Sequence, residues 1–405
     1  MGGLFESVLS TPEASETLGD LHVVDCMLRI EAALARAQAR VGLIPQEAAQ
    51  SIIGTCKVEL FDVPRLVRES ARTRCLATPL VASLRETVAL FNPEAARYVH
   101  LGCSDHDLVN TALSLVKRDV LKLIAVDLCS TLDTLLAWAV RHADDPIVLR
   151  TPYQSSGITS FGLICCQWAT PLVRADQRLQ SAMSTLPLDL GSDLLCLQDM
   201  QGKASLVTAL MAADLQLQAP DVAGAGCHDS LALACELGLL VGSLGKMVAD
   251  IRHLMQFEIG ELVPISLLKN PATGDKSVST TAVALHCRVA HTAAQSVPQQ
   301  VASLLATLSQ DNSQTPGSWQ TRLALWPDLL TASHSITQAV AQLTAGLKAD
   351  TQRMRSNLET ARADLSAVDA RTRFSAELMQ HASALTRKQI AALCSCRAQV
   401  SIPQD

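Results

Sequence analysis

Aromatic residues are scarce in this 405-residue chain: 2 Tyr, 6 Phe and 4 Trp make up 3% of it. Sandwiches and barrels rely on aromatic and β-branched side chains, so a β-sandwich or barrel is not expected. Charge is also thin, at 18% Asp, Glu, Lys and Arg against a usual share of about 25%. Basic residues show no surplus, because 33 Lys and Arg face 39 Asp and Glu for a formal net charge of -6. A nucleic-acid partner would need a basic face and is not expected. Disorder needs low hydrophobicity with high charge, and 48% of the residues here are hydrophobic. The longest apolar stretch, 231–250, is broken by Glu236, Lys246 and Asp250. It falls short of the roughly 18 to 20 uninterrupted apolar residues of a membrane helix, so no membrane partner is expected. The N-terminus has no basic segment before an apolar core, and Glu6 stands where a myristoylation signal needs Ser or Thr. A cytoplasmic protein is the expectation.

Familiar catalytic and binding strings are missing as well. There is no GxGxxG, Walker loop, HExxH, GxSxG or CxxC. The 13 cysteines are odd in number and scattered, which does not suit a disulfide framework, so they read as small buried filler. His286 and His291 lie five apart, not at the four-residue step of a helical zinc site. No metal is expected.

What the sequence does hold is Ala, Leu and Gln, all good helix formers, in long periodic runs. Helical patterns cover 21–41, 45–56, 63–70 and 79–90, then longer ones cover 108–141, 158–185, 230–260, 280–308 and 326–346. Several are apolar around most of their circumference, which marks helices buried on more than one side. An all-α protein follows, divided as an N-terminal helical domain (1–100), a central long-helix bundle (101–345) and a short C-terminal helical domain (346–405). A bundle this apolar is expected to pack against copies of itself, with a large monomeric bundle as the alternative.

Three polar clusters interrupt the helices. Residues 98–107 read Tyr-Val-His-Leu-Gly-Cys-Ser-Asp-His-Asp, with Ser104 or Asp105 as an N-cap and two imidazoles, His100 and His106. This is either an anion site at a helix N-terminus or a capped helix with solvent-facing histidines. Residues 149–154 offer Arg150 as a bidentate carboxylate partner with Thr151 and Gln154 as neutral donors, or else an interhelical ion pair. Residues 265–279 form a polar stretch with Lys269, Asn270 and Lys276, read as a catalytic loop or an ordinary solvated one.

Taken together, these clusters resemble the fumarase/aspartase superfamily, and within it the bacterial 3-carboxy-cis,cis-muconate cycloisomerases. MLRIEAALARAQARVGLIPQEAA is similar to the first helix and turn of that family. ARYVHLGCSDHDLVNTAL resembles its first signature, RTPYQSSGITSFG its second, and LGKMVADIRHLMQFEIGEL the helix before its third. The resemblance implies a three-domain helical subunit and a homotetramer whose core is a bundle of about twenty helices. It also implies active sites shared by three subunits, small-molecule substrates bearing carboxylates, and no metal or organic cofactor. On it, His100, His106, Lys269 and Lys276 are the candidate acid and base groups, and Ser104, Asp105, Arg150, Thr151, Gln154 and Asn270 the candidate substrate contacts.

The departures from the family pattern are specific. Asp105 replaces a usual Ser, which brings a carboxylate where the family binds one. Pro152 stands where many members carry His. The third signature's Ser-Ser pair is absent: anchoring on Asn270-Pro271 puts Leu262 and Val263 at those positions and Leu268 at the lysine, and anchoring instead on Lys276 keeps a lysine but loses Asn-Pro. A diverged lyase or cycloisomerase with an altered substrate is therefore the leading expectation. A catalytically silent homologue that acts as a binding or assembly partner is the alternative.

Overall fold

Apolar residues at three- and four-residue steps, punctuated by capping side chains, set the elements. The computed structural model describes residues 10–191, 198–219, 226–265, 276–308 and 318–400. Thr11 caps α1 (Pro12–Thr17) by accepting from the Ala14 amide. Then come α2 (Asp20–Arg40), α3 (Gln46–Thr55), α4 (Val63–Thr73), α5 (Ala77–Phe91) and the single turn α6 (Pro93–Ala96). α7 (Asp105–Arg141) runs for 37 residues, about 55 Å at 1.5 Å per residue. A hairpin follows, β1 (Pro146–Arg150) antiparallel to β2 (Ser155–Ser160). The remaining long helices are α8 (Phe161–Ser184), α10 (Gly226–Leu254), α11 (Lys276–Ala306) and α12 (Ser318–Ala345), with the shorter α9 (Ala204–Leu215) between the first two. β3 (Leu262–Pro264) pairs antiparallel with β4 (Leu347–Ala349), and α13 (Thr351–Ala363), α14 (Ala367–Arg373) and α15 (Ala376–Val400) end the chain.

The long helices close a ring. α7 packs on α8 and α12, α8 on α10, α10 on α11, and α11 on α12. Trp326, Phe161, Leu115 and Ile124 fill the interior. Phe161 gathers the rings of Trp138, His142 and Trp168 at centroid distances of 6.1, 5.6 and 6.2 Å. Small residues let the rods approach: a Cβ on Gly245 would stand 2.7 Å from the Ala294 Cβ, where α10 meets α11.

The all-helical expectation holds, with differences at the boundaries. The pattern read as one helix over 158–185 begins at Phe161, because 155–160 pairs with β1 instead. Ile147, Val148 and Ile158 are β-branched and suit that hairpin. Ser160 ends the strand and caps α8, its hydroxyl accepting from the Leu163 amide. The helix read from 280 starts at Lys276, and the one read from 326 starts at Ser318, continuing through Pro327. Two stretches, Asp105–Arg141 and His228–Leu254, have the length and apolarity of a membrane span by those measures alone. Both belong to the ring, and α7 also buries Lys117 and Arg118 within the fold.

Candidate functional site

The turn before α7 is built to hold one imidazole. The Gln38 amide donates to the Leu101 carbonyl at 2.6 Å, and Arg85 donates to the Val99 carbonyl at 3.3 Å. Gly102 adopts φ 70, and His100 itself adopts φ 62, a left-handed conformation that a side chain makes costly. His100 Nδ1 lies 2.5 Å from Oε1 of Glu31, a fully buried carboxylate on α2. His100 Nε2 is buried without a hydrogen-bond partner among the described residues and lies 3.7 Å from Asp105 Oδ1. Burial alone would push the imidazole down, but the charge and hydrogen bond of Glu31, helped by Asp105, raise its pKa above the ordinary value. Thr78 donates its hydroxyl to Asp105 Oδ2.

Ser104 caps α7 in a reciprocal box. Its hydroxyl accepts from the Asp107 amide at 3.1 Å, and its own amide donates to Asp107 Oδ2 at 3.1 Å. Gly191 also donates to Asp107 Oδ2, at 3.2 Å. These contacts engage two of the amides that a bound anion would use, and Asp105 adds negative charge in the first turn. Both the capped helix and the carboxylate beside it weigh against an anion at this helix end. His106 is exposed, and its ring meets that of Trp319 at a centroid distance of 4.3 Å, tilted by 48°.

Arg150 stands at the other end of α7. Its two guanidinium nitrogens donate to Glu261 Oε2 and Oε1 at 2.8 and 2.5 Å, and Asn357 donates to Oε1 at 2.8 Å. Glu261 is fully buried. The guanidinium fork is thus engaged from within the chain, by a pair that joins β1 to the residue before β3 rather than two helices. Thr151 and Gln154 form the exposed tip of the hairpin, where the Thr151 amide and hydroxyl both donate to the Gln154 carbonyl at 3.0 Å. Leu262 and Val263, the residues at the family's two serine positions, lie in β3 and pair with Ala349 and Lys348. Lys269 and Asn270 lie outside the described residues, and Lys276 is described only as the first residue of α11.

The candidates therefore fall into two groups. His100, Ser104, Asp105 and His106 sit at the start of α7, and Arg150, Thr151 and Gln154 in the hairpin that follows its end, with the helix of about 55 Å between them. Sequence reasoning missed Glu31, Thr78 and Glu261. Glu31 and Glu261 are carboxylates in apolar surroundings, and buried carboxylates need partners. That rule was the available signal for asking which cations they meet.

The sequence pattern of a family described as lyase matches residues 11–272. The 3-carboxy-cis,cis-muconate cycloisomerase of Pseudomonas putida is 34% identical over 370 residues, covering 88% of this chain and 84% of that protein. The enzyme of the same name from Bradyrhizobium diazoefficiens is 32% identical, covering 88% and 79%. The crystal structure of the 3-carboxy-cis,cis-muconate lactonizing enzyme from Pseudomonas putida superposes with a TM-score of 0.82 at 31% identity, over 98% of this chain and 90% of that one. On these matches, the chain belongs to the lyases of the fumarase/aspartase superfamily and is a homologue of the 3-carboxy-cis,cis-muconate cycloisomerases.

Proposed function

We propose that this protein is an intramolecular lyase of the cycloisomerase kind, acting on a small carboxylate-bearing substrate in the cytoplasm without a metal or organic cofactor in the reaction. The observation that carries the reading is His100, held in a left-handed turn with Nδ1 on Glu31 and a buried Nε2 that has no hydrogen-bond partner among the described residues. An imidazolium so placed is a general acid. When a substrate carboxylate oxygen adds across a carbon–carbon double bond, the C–O bond forms and the π electrons move toward a second carboxylate. The resulting aci-carboxylate then takes a proton at carbon, and His100 Nε2 supplies it. In the reverse sense the neutral ring removes that proton. His106, Lys269 and Lys276 remain further acid–base candidates, with Ser104, Asp105, Arg150, Thr151, Gln154 and Asn270 as candidate contacts.

The two groups at opposite ends of α7 favour a site assembled from several subunits. One chain cannot fold a 55 Å rod back on itself, whereas antiparallel packing of helices from different chains would bring a start against an end. A homotetramer with 20 core helices, five from each chain, meets that need. Apolar side chains left exposed on the ring helices, Val126 on α7, Leu239 on α10 and Leu285 on α11, support it.

Asp105 next to His100 favours an altered substrate, one that presents a hydroxyl or cationic group beside its carboxylates. Purified protein offered 3-carboxy-cis,cis-muconate, fumarate, argininosuccinate and adenylosuccinate separates the readings. Loss of the conjugated diene of the first would show that the substrate is unaltered. Turnover of another of the four is the result that an altered substrate predicts, and silence with all four would move weight to an enzyme repurposed for a different substrate and to the non-catalytic homologue.

A further inference from the structure

Where α2 crosses α7, three donor atoms of different chemistry converge. His22 and Cys26 are four residues apart on α2, so their side chains leave the same face. Asp119 meets them from α7. His22 Nε2 is 3.6 Å from Cys26 Sγ and 3.3 Å from Asp119 Oδ2, and one donor atom from each residue lies within 4.8 Å of the others. A tetrahedral zinc ion has bonds of about 2.3 Å to sulfur and about 2.0 to 2.1 Å to nitrogen and oxygen. Those bonds fix N···S edges of about 3.6 Å and N···O edges of about 3.3 Å. Both of these edges match, and the sulfur–oxygen edge lies within 4.8 Å. Cys26 is buried, while the side chains of His22 and Asp119 are 28% and 20% exposed, so a fourth position would face solvent and take water.

We propose that His22, Cys26 and Asp119 form a Zn2+ site that ties α2 to α7. Imidazole, thiolate and a single carboxylate oxygen make a borderline-to-soft donor set, which selects zinc over Mg2+ or Ca2+. Two anionic donors neutralise the ion. Asp119 can serve both partners, because Oδ1 is held by Lys122 at 2.8 Å and Oδ2 is the oxygen that faces His22. Two effects weaken the site. Lys122 and Arg118, the latter 3.7 Å from Asp119 Oδ1, repel a cation. Burial also pushes the Cys26 thiol up to about 12, so binding must form the Zn–S bond while releasing the thiol proton to solvent. The expectation of no metal rested on the spacing of His286 and His291, on the cysteines read as buried filler and on the family resemblance; the mixed pair His22 and Cys26 has the four-residue step that the two histidines lack. Metal at this place braces the fold and lies apart from the Glu31–His100 pair, so its test does not depend on activity.

The full-length protein, reduced and freed of metal, is titrated with Co2+ and then Zn2+. A thiolate-to-cobalt charge-transfer band in the near ultraviolet, saturating at one ion per chain and bleached by Zn2+, is expected. Added Zn2+ should also raise the unfolding temperature. Cys26→Ala and His22→Gln should each abolish the band and the thermal shift and weaken zinc binding at least about tenfold. His22 is partly exposed, so His22→Gln decides the matter if Cys26→Ala fails to fold. Absence of the band in the wild-type chain, or its survival in His22→Gln, overturns the proposal; survival would place the metal on other cysteines.

Discussion

His100 draws its chemistry from the residues on either side of it. Glu31 fixes the ring through Nδ1 and raises its pKa, and Asp105 adds to that from the Nε2 side. Replacing His100 with Asn should cut turnover by about 10²- to 10⁴-fold, the range that loss of a general acid produces, as measured by steady-state kinetics. Glu31→Gln tests a positioning role. It keeps a hydrogen-bonding group but removes the charge, so the imidazolium becomes more acidic and the falling alkaline limb of the rate profile should move to lower pH. A limb that stays in place would show that Glu31 only packs. The same pair has a stability signature. The folded pKa of His100 lies above its unfolded value of about 6.5, so its contribution is complete below that pH and fades as pH rises through the folded value. Urea unfolding should therefore find His100→Gln more destabilising at about pH 6 than at about pH 9.

At the scale of elements, the β1–β2 hairpin is anchored by one buried ion pair. Arg150→Ala would leave Glu261 charged, buried and short of two donors, and should cost about 3 to 5 kcal/mol in chemical unfolding. Gly245→Ala should cost about 1 to 3 kcal/mol, because the new methyl would meet the Ala294 Cβ at 2.7 Å in the α10–α11 crossing. How much of this was legible in the sequence differs from element to element. The long helices announce themselves through unbroken periodicity, as 108–141 does for α7, and the Ser104 cap is readable from its spacing to Asp107. The hairpin was missed because the apolar run at 147–149 is short, and Ile158, Thr159 and Ser160 lead without a break into the apolar start of α8. The partners of His100 and Arg150 were illegible for a different reason. Glu31 is 69 positions from His100 and Glu261 is 111 from Arg150, and only tertiary packing unites such pairs.

At the scale of the whole molecule, the apolar surplus that stands out in the composition goes partly into the ring and partly to its outer face. Only 39% of the apolar window on α7 and 50% of that on α10 is buried within one chain. Self-association is the use we propose for the rest, so Leu239→Glu, placed on an exposed position of α10, should lower the mass seen by light scattering from that of a tetramer. The central claim is that groups from opposite ends of α7, on different chains, complete one reaction centre around His100. Its most direct test mixes two variants, His100→Asn and Gln154→Ala, each of low activity, by unfolding and refolding them together. Random assembly should restore intact sites in about a quarter of cases, and activity should rise toward that fraction of the wild type. A mixture that stays as inactive as the two variants refolded separately would contradict a shared site.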